Sequence, residues 1–141
     1  MKLFVVVLLV FLSLGACAKQ PTYPEPPRLG SDVAVDIGTL VPETPIFFTH
    51  HYQGKKINFF VLKVDEKVLS FLDACARCYP AKKGYRYDDG ALFCRDCNVN
   101  YAITGIEKGV GSCVPIRIEG SLQGGKYLIP FSVLEGMADK F

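Results

Sequence analysis

Two Cys-x-x-Cys pairs, Cys75-Ala-Arg-Cys78 and Cys94-Arg-Asp-Cys97, constrain this chain more than any other feature. Fifteen residues, Tyr79 to Phe93, separate the pairs, and fifteen more lead from Cys97 to a single Cys113. Each pair bends the backbone so that two sulfurs face one centre, and two such knuckles enclose it, as in many four-thiolate metal sites of short chains. Cys75, Cys78, Cys94 and Cys97 complete a tetrahedral set by themselves. Cys113 lies on a Gly-rich turn between Gly111 and Pro115, as a fifth thiol. Its part is that of an alternate ligand, a redox partner or a small residue packed under the loop.

The neighbours of the cysteines remove some chemistries. Covalent haem attachment needs His directly after the second Cys, and Tyr79 and Asn98 stand there. A thioredoxin-like motif opens a helix in a βαβ unit, and neither pair introduces a helical period. Knuckles often end in a left-handed residue, which Asn98 accepts at small cost and Tyr79 does not. Four thiolates suit zinc and iron alike. Structural zinc, iron or an iron–sulfur cluster, disulfides and another thiophilic metal such as copper all remain open on spacing alone.

The compartment follows from the first residues. Met1-Lys2 and the apolar run Leu3 to Leu14 read as a signal peptide, 1–16, too short to span a bilayer comfortably. Leu14-Gly15-Ala16-Cys17 resembles the lipobox of bacterial lipoproteins, which makes Cys17 an acylated N-terminus and places the protein in the bacterial cell envelope. It then faces the periplasm or the exterior; Ala18, where an Asp would mark inner-membrane retention, leans towards the outer membrane. Residues 17–30, with Lys19 to Pro27 rich in proline, read as the lipidated Cys and an extended spacer. Residues 31–141 form the cysteine-rich domain. Exported compartments oxidise thiols, which keeps disulfides in competition with a metal.

Val, Ile, Phe and Tyr dominate the apolar runs, so the fold class expected is mainly β: a small antiparallel domain with two knuckles and a short C-terminal helix. Strands are expected at Ile46–Tyr52, Lys56–Lys63, Val68–Leu72, Ala91–Phe93, Val99–Thr104, Val114–Ile118 and Lys126–Pro130. Val33 to Ile37 reads as an edge strand or the start of the fold. Ser132 is expected to cap the closing helix, with Glu135 three residues on. A domain of this size has a modest core and is expected to lean on its metal for stability.

A net charge of +2 with interspersed signs gives no nucleic-acid footprint. No Ser-His-Asp set, carboxylate pair or phosphate-binding glycine loop supports hydrolytic or phosphoryl chemistry, so a metal-binding or electron-transfer protein is expected before a catalyst. His50 and His51 point to opposite faces of their strand, and a polar, non-ligand role is the simpler reading. Asp73 is placed to bond knuckle amides or cap a turn. Gly84-Tyr85 reads as a tight turn that packs an aromatic over the site, and Lys82, Lys83 and Arg86 as cations able to offset thiolate charge.

Gly54 to Met137 resembles the FtrD-like family of membrane iron–sulfur proteins. The matching pieces are G-K-K-I-N-F-F-V-L-K, D-A-C-A-R-C, G-Y, C-R-D-C, I-x-x-x-x-G-x-G-S-C-V-P-I and I-P-F-S-V-L-E-G, in the family's order. The family usually has Gly where this chain has Asn98, and Gly-Gly-Cys-Asn-Pro where it has Gly111-Ser112-Cys113-Val114-Pro115. The resemblance implies an iron–sulfur cluster or iron as cofactor, with Cys75, Cys78, Cys94, Cys97 and Cys113 on the family's cysteines. It also implies electron transfer or iron uptake, with a membrane permease or redox partner. The alternatives carried beside it are a structural zinc module that presents an interaction surface, and a thiol- or copper-handling protein.

Overall fold

The computed structural model describes residues 20–141, so segment 1–16 and Cys17 lie outside the described residues. Twelve elements follow one another: β1 (Arg28–Leu29), β2 (Asp32–Asp36), β3 (Ile46–Tyr52), β4 (Lys55–Val64), β5 (Lys67–Cys75), β6 (Tyr85–Asp88), β7 (Ala91–Cys94), β8 (Asn100–Ala102), β9 (Pro115–Ile118), β10 (Ser121–Gln123), β11 (Lys126–Pro130) and the helix α1 (Phe131–Glu135). Every strand pairing is antiparallel, and the strands form three sheets, ordered β1-β2-β11-β10, β3-β4-β5-β9 and β6-β7-β8.

The sheet β3-β4-β5-β9 is the middle layer, and its sequence shows why. Successive side chains of a strand point to opposite faces. On β4, Ile57, Phe59 and Val61 pack with Val33 and Val35 of β2, Tyr127 and Ile129 of β11, and Leu134 of α1. Phe60, Leu62 and Val64 of the same strand pack with Tyr85, Leu92 and Tyr101 of the three-stranded sheet. A strand covered on both faces reads as a continuous apolar run, which is how Phe59 to Leu62 reads. The alternation also sorts β5: Leu72 and Ala74 join the first core, whereas Phe71 and Cys75 join the second. Cys75 therefore shares the cysteine-layer face with Phe71, beyond a register shift in the β5–β9 pairing that sets it opposite Pro115.

The expected strands are present, with four differences. Val33 to Ile37 contributes an interior strand rather than an edge, because β2 lies between β1 and β11. Tyr85–Asp88 and Ser121–Gln123 are strands that short, polar, Gly-flanked sequence concealed. Beyond Ala102, the stretch expected to continue as strand turns into a 3-10 helix at Ile103–Gly105. The closing helix starts at Phe131 with Pro130 before it and no side-chain cap, so the Ser132–Glu135 capping box does not form. Glu135 faces His50 instead.

Pro21 to Pro27 do not stand clear of the domain. Tyr23 stacks on Phe47 with ring centroids 4.9 Å apart, and its N–H donates to the Thr49 hydroxyl at 2.8 Å. Thr49 N–H donates to Pro24 O, Asn58 Nδ2 to Pro21 O at 2.8 Å, and Ala34 N–H to Pro27 O. Missing backbone donors make proline poor in a sheet interior, yet its carbonyls still accept, and this strap uses them against β2, β3 and β4. Among the described residues, no helix is long and apolar enough to cross a membrane.

Candidate metal centre

Three stretches bring cysteines to one point. Cys75 ends β5 and Cys94 ends β7. Cys113 arrives through β9: the β5–β9 register sets Cys75 opposite Pro115, so Cys113 lies two residues from the paired position. Ala76 N–H donates to Val114 O at 2.9 Å, and the Tyr101 hydroxyl donates to Cys113 O at 2.7 Å. The Cys113 turn is thereby tied to the first knuckle and to the three-stranded sheet.

The sulfurs of Cys75, Cys78, Cys94 and Cys113 all lie within 4.8 Å of one another. Cys113 Sγ is 2.9 Å from Cys75 Sγ and 3.2 Å from Cys97 Sγ. Cys75, Cys94 and Cys113 are buried, Cys78 is half-buried and Cys97 is exposed. The fold thus brings together all five cysteines singled out in sequence, and it distributes them differently from the pairing by knuckles. Cys113 sits among the inner four, and Cys97 sits on the solvent side against it. Metal–sulfur bonds of about 2.3 Å put the corners of a thiolate tetrahedron about 3.8 Å apart. The inner sulfurs are at that scale, so the donor set fits a thiophilic metal.

The knuckles close as the residue types require. Asn98 takes φ +61°, and its N–H donates to Cys94 O at 3.0 Å. After Cys78 the chain enters a 3-10 turn, and the left-handed position falls later, on Lys82 at φ +53°. Tyr79 is spared that conformation.

Five thiols this close do not ionise independently; each thiolate makes its neighbours harder to ionise. Burial raises Cys113 to about 12, and its sulfur neighbours add to the rise. Cys78 and Cys94 are also raised, first by burial. For Cys97 desolvation is the largest single influence and raises it, but the Val99 N–H and the neighbouring thiols together outweigh it and bring it down to about 7. Metals bind thiolates, so loading releases protons from this set.

Asp73 joins the knuckles. It is buried, and its Oδ1 accepts the Tyr85 N–H at 2.6 Å while Oδ2 has no partner. Burial pushes its carboxyl up to about 7 against the opposing pull of the Tyr85 N–H and Arg95. Gly84 is the position that makes room: its φ is +67°, and a Cβ there would stand 2.4 Å from Asp73 Oδ2. Arg95 completes the junction, its N–H donating to Gly84 O and its Nε to Tyr85 O at 2.9 Å. Tyr85 and Tyr101 pack edge to face at 5.9 Å beside the sulfurs and exclude water from the inner side.

The remaining candidates stand elsewhere. His50 is buried on the other face of the middle sheet, with Nε2 3.3 Å from Glu135 Oε1 and its ring 4.6 Å from Phe131. His51 is exposed and pairs with Glu25. Lys83 pairs with Asp96 at 2.8 Å and Arg86 with Asp88. Tyr101, Arg95 and the strap residue Gln20, which lines the same cleft as Asp73, Cys75 and Cys78, carried no sequence signal of their own.

A family model described as "Membrane iron-sulfur containing protein FtrD-like" matches residues 42–141. No curated protein and no solved structure matches the chain.

Proposed function

Because the chain belongs to the FtrD-like family of membrane iron–sulfur proteins, we propose that it is a lipid-anchored protein of the bacterial cell envelope holding iron or an iron–sulfur cluster for electron transfer or iron uptake. One observation carries the metal part: four cysteine sulfurs from three separate stretches lie within 4.8 Å of one another. In this reading Cys75, Cys78, Cys94 and Cys113 hold the group, with Cys97 in reach of Cys113. Iron in thiolate surroundings supplies one-electron chemistry. The chain's part is to desolvate the inner sulfurs under Tyr85 and Tyr101, to fix Cys113 through the Tyr101 hydroxyl, and to leave one edge open at Cys97. Residues 1–16 are removed as a signal peptide and Cys17 carries the lipid, followed by the strap and the domain. The partner on this reading is a membrane permease or redox protein.

A second reading, structural zinc, draws on the same compactness, since four sulfurs within 4.8 Å of one another can close on one tetrahedral ion. Elemental analysis and a visible spectrum of anaerobically purified protein separate the two. Iron with charge-transfer colour, with or without acid-labile sulfide, supports the proposal. Colourless protein carrying zinc replaces it with the second reading, and metal-free protein with disulfides removes both.

A further inference from the structure

The strap fixes more than the edge of a sheet. Gln20, the first described residue, lines a polar cleft together with Asp73, Cys75, Cys78, Cys94 and Asp96. The chain therefore enters the fold at the cysteine cluster. Gln20 is three residues after Cys17, a stretch that spans at most about 10 Å even when fully extended. The strap leaves no slack beyond that point, because Pro21 O, the Tyr23 N–H and Pro24 O are all bonded to β3 or β4.

Resting on the reading of Cys17 as the acylated residue, we propose that the cysteine-cluster end of the domain lies against the bilayer surface, with the metal centre's open edge facing lipid headgroups. The opposite end is marked by the turn Asp65-Glu66, where β4 passes into β5. The nine residues of β5 put that turn about 26 Å from Cys75. The two ends cannot exchange places while Gln20 stays in its cleft.

Charge on the cluster end suits the same surface. Arg77 and Lys82 are exposed there and belong to no ion pair with an acid among the described residues. Lys83 and Lys140 are each matched by a neighbouring Asp. The rim is thus weakly cationic, as an anionic headgroup layer favours, and a lipid chain with a basic patch binds membranes better than either alone. In this orientation Cys97, the exposed thiol of the five, meets a membrane-embedded donor or acceptor without a diffusing carrier.

The chain has no tryptophan, so a single introduced Trp reports its own depth. Lys83→Trp marks the cluster end, Glu66→Trp the far turn, and Lys140→Trp supplies a second cluster-end reporter if Lys83→Trp does not fold. Each full-length acylated protein is reconstituted in phosphatidylethanolamine–phosphatidylglycerol vesicles with and without a headgroup nitroxide lipid. The fluorescence ratio between the two vesicle types cancels quenching by any bound metal. The proposal expects several-fold stronger nitroxide quenching at position 83 or 140 than at 66. It also expects that difference to collapse when a long Gly/Ser segment is inserted between Lys19 and Gln20. Equal quenching at both ends, or stronger quenching at 66, in protein whose intact mass shows the acyl chain overturns the orientation and leaves the anchor standing. An intact mass without the acyl chain removes the anchor reading and this proposal with it. Cluster-end quenching that appears only when a membrane protein is added replaces lipid by protein as the surface and overturns the proposal.

Discussion

The two faces of the middle sheet are buried by different means. One face meets β2, β11 and α1 across Phe48, Ile57, Phe59, Leu72 and Leu134, a core of side chains that need nothing but each other. The other meets strands of four, four and three residues, and its core includes Cys75, Cys94 and Cys113. Strands that short supply few ladder bonds, and three strands are the fewest that a hydrophobic face can stabilise. The same strands thus support one layer by hydrophobic packing and another by packing plus a cross-link at the sulfurs. The comparison narrows the expectation that the whole domain leans on its metal: the dependence should concentrate in residues 76–114.

Removing the metal tests that contrast with the largest effect. Structural thiolate sites contribute on the order of 10–16 kcal/mol in small peptides, most of it folding energy. Under a strong chelator, hydrogen exchange should accelerate across β6, β7, β8 and the Cys113 turn, while β2, β4 and β11 stay protected. Uniform acceleration would show a single cooperative unit and dissolve the contrast. Cys113→Ser should lose the metal as fully as Cys94→Ser, because both sulfurs belong to the inner set, and Cys97→Ser should retain more. Metal content of the three purified variants reads this directly. Retention in Cys113→Ser with loss in Cys97→Ser would restore the assignment by knuckles.

Phe59→Ala strikes the other face. Phe59 is fully buried and its ring lies 5.5 Å from Phe48. Truncation should cost about 3–5 kcal/mol, read as a shift of the urea midpoint. Metal content per folded molecule should not change. If metal affinity falls in step with stability, the two layers share one cooperative transition.

These contrasts show what the sequence disclosed. The apolar run Phe59 to Leu62 made β4 legible, and the two knuckles announced their sulfurs. The resemblance set Cys113 with the other cysteines, but spacing alone did not, because its position depends on β9 pairing with β5 some forty residues away in register with Pro115. No local pattern encodes such a pairing. β6 was concealed because Gly84 and the Asp89-Gly90 turn enclose only four residues. The proline-rich strap read as a spacer because composition reports the lack of donors and is silent about carbonyls that accept. The resemblance in the cysteine motifs, in contrast, pointed to the family that the match over residues 42–141 establishes.

Gly84→Ala probes the junction between the faces. The new Cβ must take φ +67° and displace the Asp73 carboxylate, which is buried and cannot swing into solvent. Left-handed strain and overpacking of this kind cost about 2–4 kcal/mol together. The clash term should vanish in the Asp73→Ala background, leaving a strain of about 1 kcal/mol. A double-mutant cycle by urea unfolding measures this. Equal costs in both backgrounds would mean that Asp73 is not what Gly84 makes room for.

The smallest expected effect concerns Thr49, which sits where the strap crosses the middle sheet. Its hydroxyl donates to Asn58 Oδ1 at 2.7 Å and accepts the Tyr23 N–H at 2.8 Å, and the residue is fully buried. Thr49→Val keeps the shape and removes both bonds, leaving a buried acceptor on Asn58 and one amide without a partner. Such groups cost about 1–3 kcal/mol each when they stay dry, and the strap can relieve this by lifting so that water reaches them. The net loss should therefore be near the lower end, about 1–2 kcal/mol, with faster hydrogen exchange confined to the Tyr23 and Thr49 amides. Metal content should be unchanged, because neither bond of the Thr49 hydroxyl reaches a cysteine. Loss of metal in Thr49→Val would place the strap within the metal-dependent face, and the division between the two faces would then run through β3 rather than beside it.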